Sequence, residues 1–409
     1  MPDVTFQSRS VIVTVARARA GIVSLCRAGG GATIRGMSIS PRADHVGSLL
    51  RPAALLSARD DFAAGRTGRD ALRAAEDDAI RQALAMQQDA GLQIYSDGEY
   101  RRKSFLSELA AATDGFTEGH NDMRWHGEDS RAELKTNMQS TSRIAGERLR
   151  KRDRMTAGEA AFLRGNSPGT FKITLPDVSY FPLSSWQPEV SAGAYPDRTD
   201  MLADLSEIVR DEVQSLIADG VRYIQLDSVG FTTLVDQEQR DWLASTGTDP
   251  GSYVRAAAEA QRRCLDGLGG DGVTIAMHMC RGNSRGRWLA SGGYERVAED
   301  VFPRIPVDRW LLEYDTERAG GFEPLAHIPH GSTVVLGLIS TKTPALEDPD
   351  ELARRVEQAA KYVPAENLAI SPQCGFASVA EGNALSWDDQ RRKLELLVTT
   401  AGRLFGTPA

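Results

Sequence analysis

The chain has 409 residues, 41% of them hydrophobic, 25% charged and 7% aromatic, with a formal net charge of −8. No apolar run reaches the roughly 18–20 residues a membrane helix needs, and 48 Lys+Arg against 56 Asp+Glu leave no broad basic patch for nucleic acid. Four cysteines in so long a chain exclude a disulfide scaffold and fit a reducing compartment, so a cytoplasmic protein is expected.

Residues 1–36 differ in composition from the remainder of the chain. They hold Arg9, Arg17, Arg19, Arg27 and Arg35 but a single acid, Asp3, and they run through Ala28-Gly29-Gly30-Gly31 before Met37. Arg17 and Arg19 interrupt the apolar stretch, which argues against a signal peptide. The composition resembles a transit peptide, but a dispensable or disordered extension is the expectation, with the functional domain spanning 37–409. The glycine run lacks the G-x-G-x-x-G spacing of a dinucleotide loop.

From Met37 onward, short runs rich in β-branched residues recur at 39–48, 93–97, 171–176, 221–227, 273–280, 309–313, 332–340 and 367–373. Amphipathic stretches lie between most of them, at 54–90, 201–219, 235–268, 351–362 and 387–405. In the stretch 201–219, Leu202, Leu205, Ile208, Val209, Val213, Leu216 and Ile217 share one helical face. Eight strand–helix alternations predict an α/β protein, a single (β/α)8 TIM barrel, with an open doubly wound sheet as the competing architecture. The 100–170 connection after the second strand is unusually long. It carries a charged, helix-like stretch from Arg143 to Arg164 and reads as an insertion over one face, a lid or substrate cover.

Barrel enzymes build their sites at the carboxyl ends of the strands. Here those ends carry Ser48, Asp97 with Glu99, Asp227, His278 with Cys280, Glu313, Lys342 and Cys374. In a strand, residues i and i+2 face the same side, so His278 and Cys280 can aim at one ion while Met279 packs away. With Cys374 and Glu313 they make a donor set suited to tetrahedral zinc. The bland alternative is a chance H-x-C with two buried apolar cysteines. Glu99 and Asp227 could cap helices, contact Arg101 or Arg102, or bind a substrate ammonium group. Ser48 could cap the next helix or meet a carboxylate. Lys342 could be a loop lysine or an anion contact, and it is the candidate catalytic residue. Cys264 reads as helix core and Cys26 as silent. His120, His126, His327 and His330 read as surface residues.

A rival motif overlaps this region. Gly282-Asn283-Ser284-Arg285-Gly286 fits G-x-S-x-G, the nucleophile elbow of α/β-hydrolases, with His327 and His330 downstream. A serine hydrolase using Ser284 is therefore an alternative, although it leaves His278, Cys280 and Cys374 unexplained.

Val46-Gly47-Ser48-Leu49, Asp97-Gly98-Glu99, Gln225-Leu226-Asp227, His278-Met279-Cys280, Glu313 and Pro372-Gln373-Cys374-Gly375 occur in that order. Together they make the chain resemble the catalytic C-terminal barrel of the cobalamin-independent methionine synthase family, from about residue 42 to about residue 405. The resemblance implies zinc held by His278, Cys280, Glu313 and Cys374, and homocysteine held through its amino-acid part by Ser48, Glu99 and Asp227. The full-length enzymes add a duplicated N-terminal barrel, for which this chain has no room. Two departures bear on the methyl donor: Ser228-Val229 follows Asp227 where the family usually has Glu-Pro, and Lys342-Thr343-Pro344 stands where it tends to have His-Ser-Pro. Relatives of the same barrel alkylate coenzyme M or, without metal, decarboxylate uroporphyrinogen.

The chemistry comes from the donor set. A free thiol is mostly protonated near pH 7 and is a poor nucleophile until a metal deprotonates it. Two thiolates, one carboxylate and one neutral imidazole on Zn2+ leave a net charge of about −1, which favours transfer of a carbon electrophile to sulfur over hydrolysis. The expected activity is methyl transfer to homocysteine from a methyl-folate or another methyl carrier, giving methionine. The alternative is alkyl transfer to another thiol, of the epoxide–coenzyme M type. The expected partners are a small-molecule thiol and a methyl donor, with no nucleic acid and no membrane. A homo-oligomer is compatible with the sequence.

Overall fold

The computed structural model describes residues 41–119, 143–270, 272–284 and 287–406. The 1–36 extension with Cys26, the loop histidines His120 and His126, and Arg285 and Gly286 of the hydrolase-like motif lie outside these residues. Residues Ser40–Ala409 group as one compact unit.

The strands are β1 (Ile94–Tyr95), β2 (Thr113–Glu118), β3 (Arg143–Lys151), β4 (Thr170–Pro176), β5 (Tyr223–Ser228), β6 (Thr274–Met279), β7 (Arg309–Glu313), β8 (Thr333–Ile339) and β9 (Leu368–Pro372). The helices of ten residues or more are α1 (Ala53–Ala63), α2 (Arg69–Asp89), α3 (Ala157–Asn166), α4 (Met201–Ala218), α5 (Pro250–Leu265), α6 (Pro349–Ala359) and α7 (Trp387–Phe405). Seven strands form one parallel sheet in the order β1-β4-β5-β6-β7-β8-β9. Consecutive parallel neighbours joined through helices are the signature of a curling α/β sheet, as the alternation predicts.

The first predicted strand, 39–48, is reduced to a single bridge. Ala43 pairs with Ile370, the Asp44 amide donates to the Ile370 carbonyl at 3.1 Å, and the Ile370 amide donates to the Arg42 carbonyl at 2.9 Å. On the other side, a His45 Nε2···Ile94 O contact of 3.1 Å and the Leu49 amide's bond to the Gly98 carbonyl tie the same segment to the end of the sheet that β1 forms. Residues 42–49 thus take the eighth place between β9 and β1. Their polar side chains and Gly47, at φ +135°, keep them from forming a regular ladder.

The insertion departs from expectation. The stretch Arg143 to Arg164 is not one helix: it divides into β3 and α3, and β3 pairs antiparallel with β2. Ile144, Ala145 and Leu149 are buried while their charged neighbours face outward, so the charges disguise a strand. A bulge lies between Asp114 and Phe116. Gly115 sits there at φ +100°, where a Cβ would stand 2.7 Å from the Arg148 carbonyl oxygen, so only glycine fits.

Helices pack outside the sheet through apolar stripes. In α4, Leu202, Leu205, Ile208, Val209, Val213 and Leu216 are buried, matching the predicted face. Cys264 is fully buried in α5, and burial pushes its thiol up to about 12. Ile94, Tyr223, Ala276, Leu311, Val335 and Ala369, one from each of six strands, form a separate apolar cluster. Beside Tyr223 lies a buried polar chain. Asp44 accepts from Lys172 Nζ at 2.8 Å, Tyr223 OH at 2.6 Å and Arg309 Nη2 at 3.2 Å. Among the described residues no helix is long and apolar enough to cross a membrane.

Candidate active site

The parallel register sets the site. Asp227 on β5 stands directly opposite His278 on β6, and Glu313 is opposite Gly337. Glycine at 337 leaves room for the next strand, because a Cβ there would lie 2.7 Å from Gln373 Cα and 2.8 Å from the Leu312 carbonyl oxygen. The chain after β9 therefore comes close to β7 and β8, and Cys374 reaches the end of β6.

His278, Cys280 and Cys374 converge. One ligand atom from each lies within 4.8 Å of the others, and all three residues are buried. The two sulfurs are 3.0 Å apart, as free thiols. Their shared hydrogen bond holds Cys374 well below the usual thiol range and pushes Cys280 up. His278 Nδ1 lies 3.1 Å from the Leu311 carbonyl oxygen. A carbonyl only accepts, so Nδ1 carries a proton, and the tautomer this fixes leaves Nε2 as the ligand atom once the imidazole is neutral. That atom is buried and has no hydrogen-bond partner among the described residues. A buried imidazole nitrogen without a partner beside two sulfurs is the donor set of a zinc site, with the backbone carbonyl fixing the ring as such ligands require.

Glu313 lies outside this group of three. Its Oε2 accepts from the Arg281 amide at 2.9 Å, and its Oε1 accepts from Arg318 Nη2 at 2.6 Å and Lys342 Nζ at 3.3 Å. Burial alone would raise its pKa, but Lys342, Arg281 and Arg318 outweigh it and hold the carboxyl at about 2. Lys342 also donates to Asp315 at 2.9 Å. Its ammonium is thus spent on two acids.

The acids at the ends of β1 and β5 are buried and oriented. Asp227 Oδ1 accepts from Gln225 Nε2 at 2.7 Å. Gln225 Oε1 in turn accepts from Lys172 at 2.9 Å, which links Asp227 to the Asp44 chain inside the sheet. Burial raises the Asp227 carboxyl to about 7, with His278 opposing it. Glu99 has a left-handed backbone at φ 59°, following Gly98 at φ 69°. A left-handed glutamate is uncommon, and here the turn is held by the Glu99 amide's bond to Asp97 Oδ1 and by Arg51 Nη2 donating to the Glu99 carbonyl. Glu99 Oε1 accepts from Thr174 Oγ1 at 2.8 Å. Ser48 does not cap α1, whose N-cap position is Pro52; instead its carbonyl accepts from Phe376 and its side chain abuts Gly375.

Of the two arginines considered as partners of the acids, Arg102 approaches Glu99 at 3.9 Å, whereas Arg101 pairs with Asp77. Sequence reasoning passed over Thr174, Glu159, Arg281 and Arg318. Their one signal is a charge or hydroxyl at a buried or partly buried position, which a single sequence does not reveal. The hydrolase alternative fails on context. Ser284 sits in a two-residue bridge with Arg287 rather than a strand-to-helix elbow, and both His327 and His330 are exposed.

A model of the family described as cobalamin-independent synthase, catalytic domain, matches residues 190–403. The chain is 32% identical over 373 residues to the uncharacterized protein YxjH of Bacillus subtilis, covering 89% of this chain and 94% of that one. Among solved structures, a candidate vitamin-B12-independent methionine synthase from Listeria monocytogenes superposes with a TM-score of 0.67 at 25% identity, over 90% of this chain and 100% of that one. A B12-independent methionine synthase from Shewanella sp. W3-18-1, solved with selenomethionine, shares the fold with a TM-score of 0.66 at 22% identity, over 90% and 98% of the two chains. The curled parallel sheet, the strand-end cluster and these matches agree: the chain belongs to the cobalamin-independent methionine synthase family of methyltransferases.

Proposed function

We propose that the protein methylates the sulfur of homocysteine to give methionine, with His278, Cys280 and Cys374 holding a zinc ion. The observation that carries this reading is the buried group of one imidazole and two thiols at the strand ends, with the carboxylate of Asp227 on the neighbouring strand. Bound there, zinc would supply the Lewis acidity that keeps a thiol deprotonated near pH 7. The side chains supply the rest. Glu99 and Asp227 receive the substrate ammonium, and Ser48 receives the carboxylate. Together they aim the substrate sulfur at the Cys280–Cys374 end of the site. The new S–CH3 bond forms as the donor's bond to the methyl group breaks, and the thiol proton is released. Lys342 and Arg318 keep Glu313 ionised beside the cysteines, so Glu313 provides negative charge there or a fourth donor. The catalytic domain is assigned to residues 37–409.

Two neighbouring buried acids suit an amino-acid thiol better than a sulfonate thiol such as coenzyme M, whose anionic end they would repel. The test combines metal and product. Purified protein should carry about one zinc per chain, and Cys374→Ser should lose it. Methionine should form from homocysteine with one of methyl-folate, methylcobalamin or S-methylmethionine, assayed in parallel. Absence of zinc from the wild type, or of methionine with every donor, refutes the reading.

A further inference from the structure

We propose that Thr174 is the positioning residue that keeps Glu99 free for the substrate ammonium, by standing between its carboxylate and the guanidinium of Arg102. The proposal rests on the reading of Glu99 as the ammonium-binding acid.

Four side chains from three parts of the chain meet here: Glu99 with Arg102, Glu159 and Thr174. Arg102 is fully buried and makes a two-pronged pair with Glu159 of α3, Nε to Oε1 at 2.9 Å and Nη2 to Oε2 at 2.5 Å. Two further donors go to Thr174 on β4, Nη1 to Oγ1 at 2.9 Å and Nη2 to the carbonyl at 2.9 Å. A guanidinium only donates, so the Thr174 hydroxyl receives from Arg102 and must turn its single hydrogen elsewhere. It turns to Glu99 Oε1, 2.8 Å away. The direction of the chain is therefore fixed: Arg102 to Thr174 to Glu99, with Glu99 as acceptor. An accepting carboxylate is the form that binds an ammonium.

Arg102 Nη1 also stands 3.9 Å from Glu99 Oε1, a long ion pair across the Thr174 hydroxyl. A closer, hydrogen-bonded pair in this buried place would neutralise Glu99 and draw it from the ligand. The hydroxyl takes an Nη1 hydrogen and holds the two charges at this longer separation. Gly47 preserves the space, because at φ +135° a Cβ there would lie 2.8 Å from Thr174 Cγ2 and 3.4 Å from Glu99 Oε1. Through Glu159, the insertion after β1 contributes to substrate binding without touching substrate.

Valine has the shape of threonine without the hydroxyl, so Thr174→Val leaves the Arg102–Glu159 pair in place and lets Arg102 turn on Glu99. The experiment measures binding of L-homocysteine and of 4-mercaptobutanoate, its analogue without the amino group, to the zinc-loaded full chain by calorimetry, with thermal melts alongside. Thr174→Val should weaken homocysteine by about tenfold or more and leave the analogue within about twofold, and Thr174→Ser should restore wild-type preference. Equal weakening of both thiols, or unchanged discrimination in Thr174→Val, overturns the proposal; if Thr174→Val does not fold, failure of Thr174→Ser to keep wild-type discrimination does so. If the wild type itself binds the two thiols alike, the amino-acid reading of the pocket has failed, and this proposal goes with it.

Discussion

The Ser48 hydroxyl oxygen lies only 1.8 Å from where a Cβ on Gly375 would be. The chain that brings in Cys374 thus crosses the end of the first barrel segment with no room for a side chain. Gly375→Ala should displace Ser48, costing about 1–3 kcal/mol of stability by overpacking and lowering kcat/KM for homocysteine at least tenfold. In a Ser48→Ala background the oxygen is gone, so the same change should cost less stability. Urea unfolding of the four proteins measures the coupling, and additive losses would show that the two residues do not collide.

Lys342 and Glu313 form the second pair to test. Lys342 Nζ lies 3.3 Å from Glu313 and 2.9 Å from Asp315, and the cations around Glu313 hold it at about 2. If Lys342 serves the reaction through Glu313, Lys342→Met and Glu313→Gln should each lower kcat/KM by tenfold or more. The double variant should then be no worse than the worse single one. Losses that multiply would give Lys342 a separate role, as a catalytic group reaching the reactants.

Much of this arrangement was legible in the sequence. The eight strand windows overlap β1, β4 to β9 and the 42–49 segment because parallel strands, buried on both faces, read as continuous apolar runs. The H-x-C spacing marks two side chains on one face by the period of a strand alone. What was not legible depends on direction and on distant partners. An acid at the end of β7 is predictable, but not that Arg318 and Lys342 turn it toward themselves. Thr174 and Arg102 are 72 residues apart, and Arg102 and Glu159 are 57 apart, so no local pattern links them. The run from Arg143 misled because five of the nine residues of β3 are charged, and the buried Ile144, Ala145 and Leu149 among them do not alternate with period two.

Acid should unfold the barrel from within. Asp44 is fully buried, and although burial raises its pKa, Lys172 and Arg309 bring it down to about 2. A carboxyl whose folded pKa lies below its unfolded value adds stability that is complete above the unfolded pKa, near 3.8, and fades as pH falls through the folded one. The contribution should be about 2 kcal/mol, disappearing between about pH 4 and pH 2. Asp44→Asn should flatten this part of the stability profile. It should also cost about 3–5 kcal/mol at neutral pH by leaving Lys172 and Arg309 without their counter-ion. Chemical unfolding across that pH range measures both effects, and an unchanged slope in Asp44→Asn would assign the acid loss to other groups.

Removing residues 1–36 should leave catalysis intact. The described segment that closes the sheet begins with Pro41, whose carbonyl accepts from Arg309 Nη2 at 3.1 Å, and with Arg42, which donates to the Leu368 carbonyl at 2.7 Å and lies over the Phe405 ring at 5.7 Å. A chain beginning at Met37 keeps all of these contacts together with Asp44, His45 and Ser48. It should match the full-length protein in zinc content, kcat and KM. A chain beginning at Val46 lacks Asp44 and the bridge at Ala43, so it should lose several kcal/mol and fail to fold at 37 °C. Comparing the two truncations by thermal melting and by methionine formation locates the boundary of the catalytic domain. A drop in activity for the Met37 chain would place functional residues in the extension.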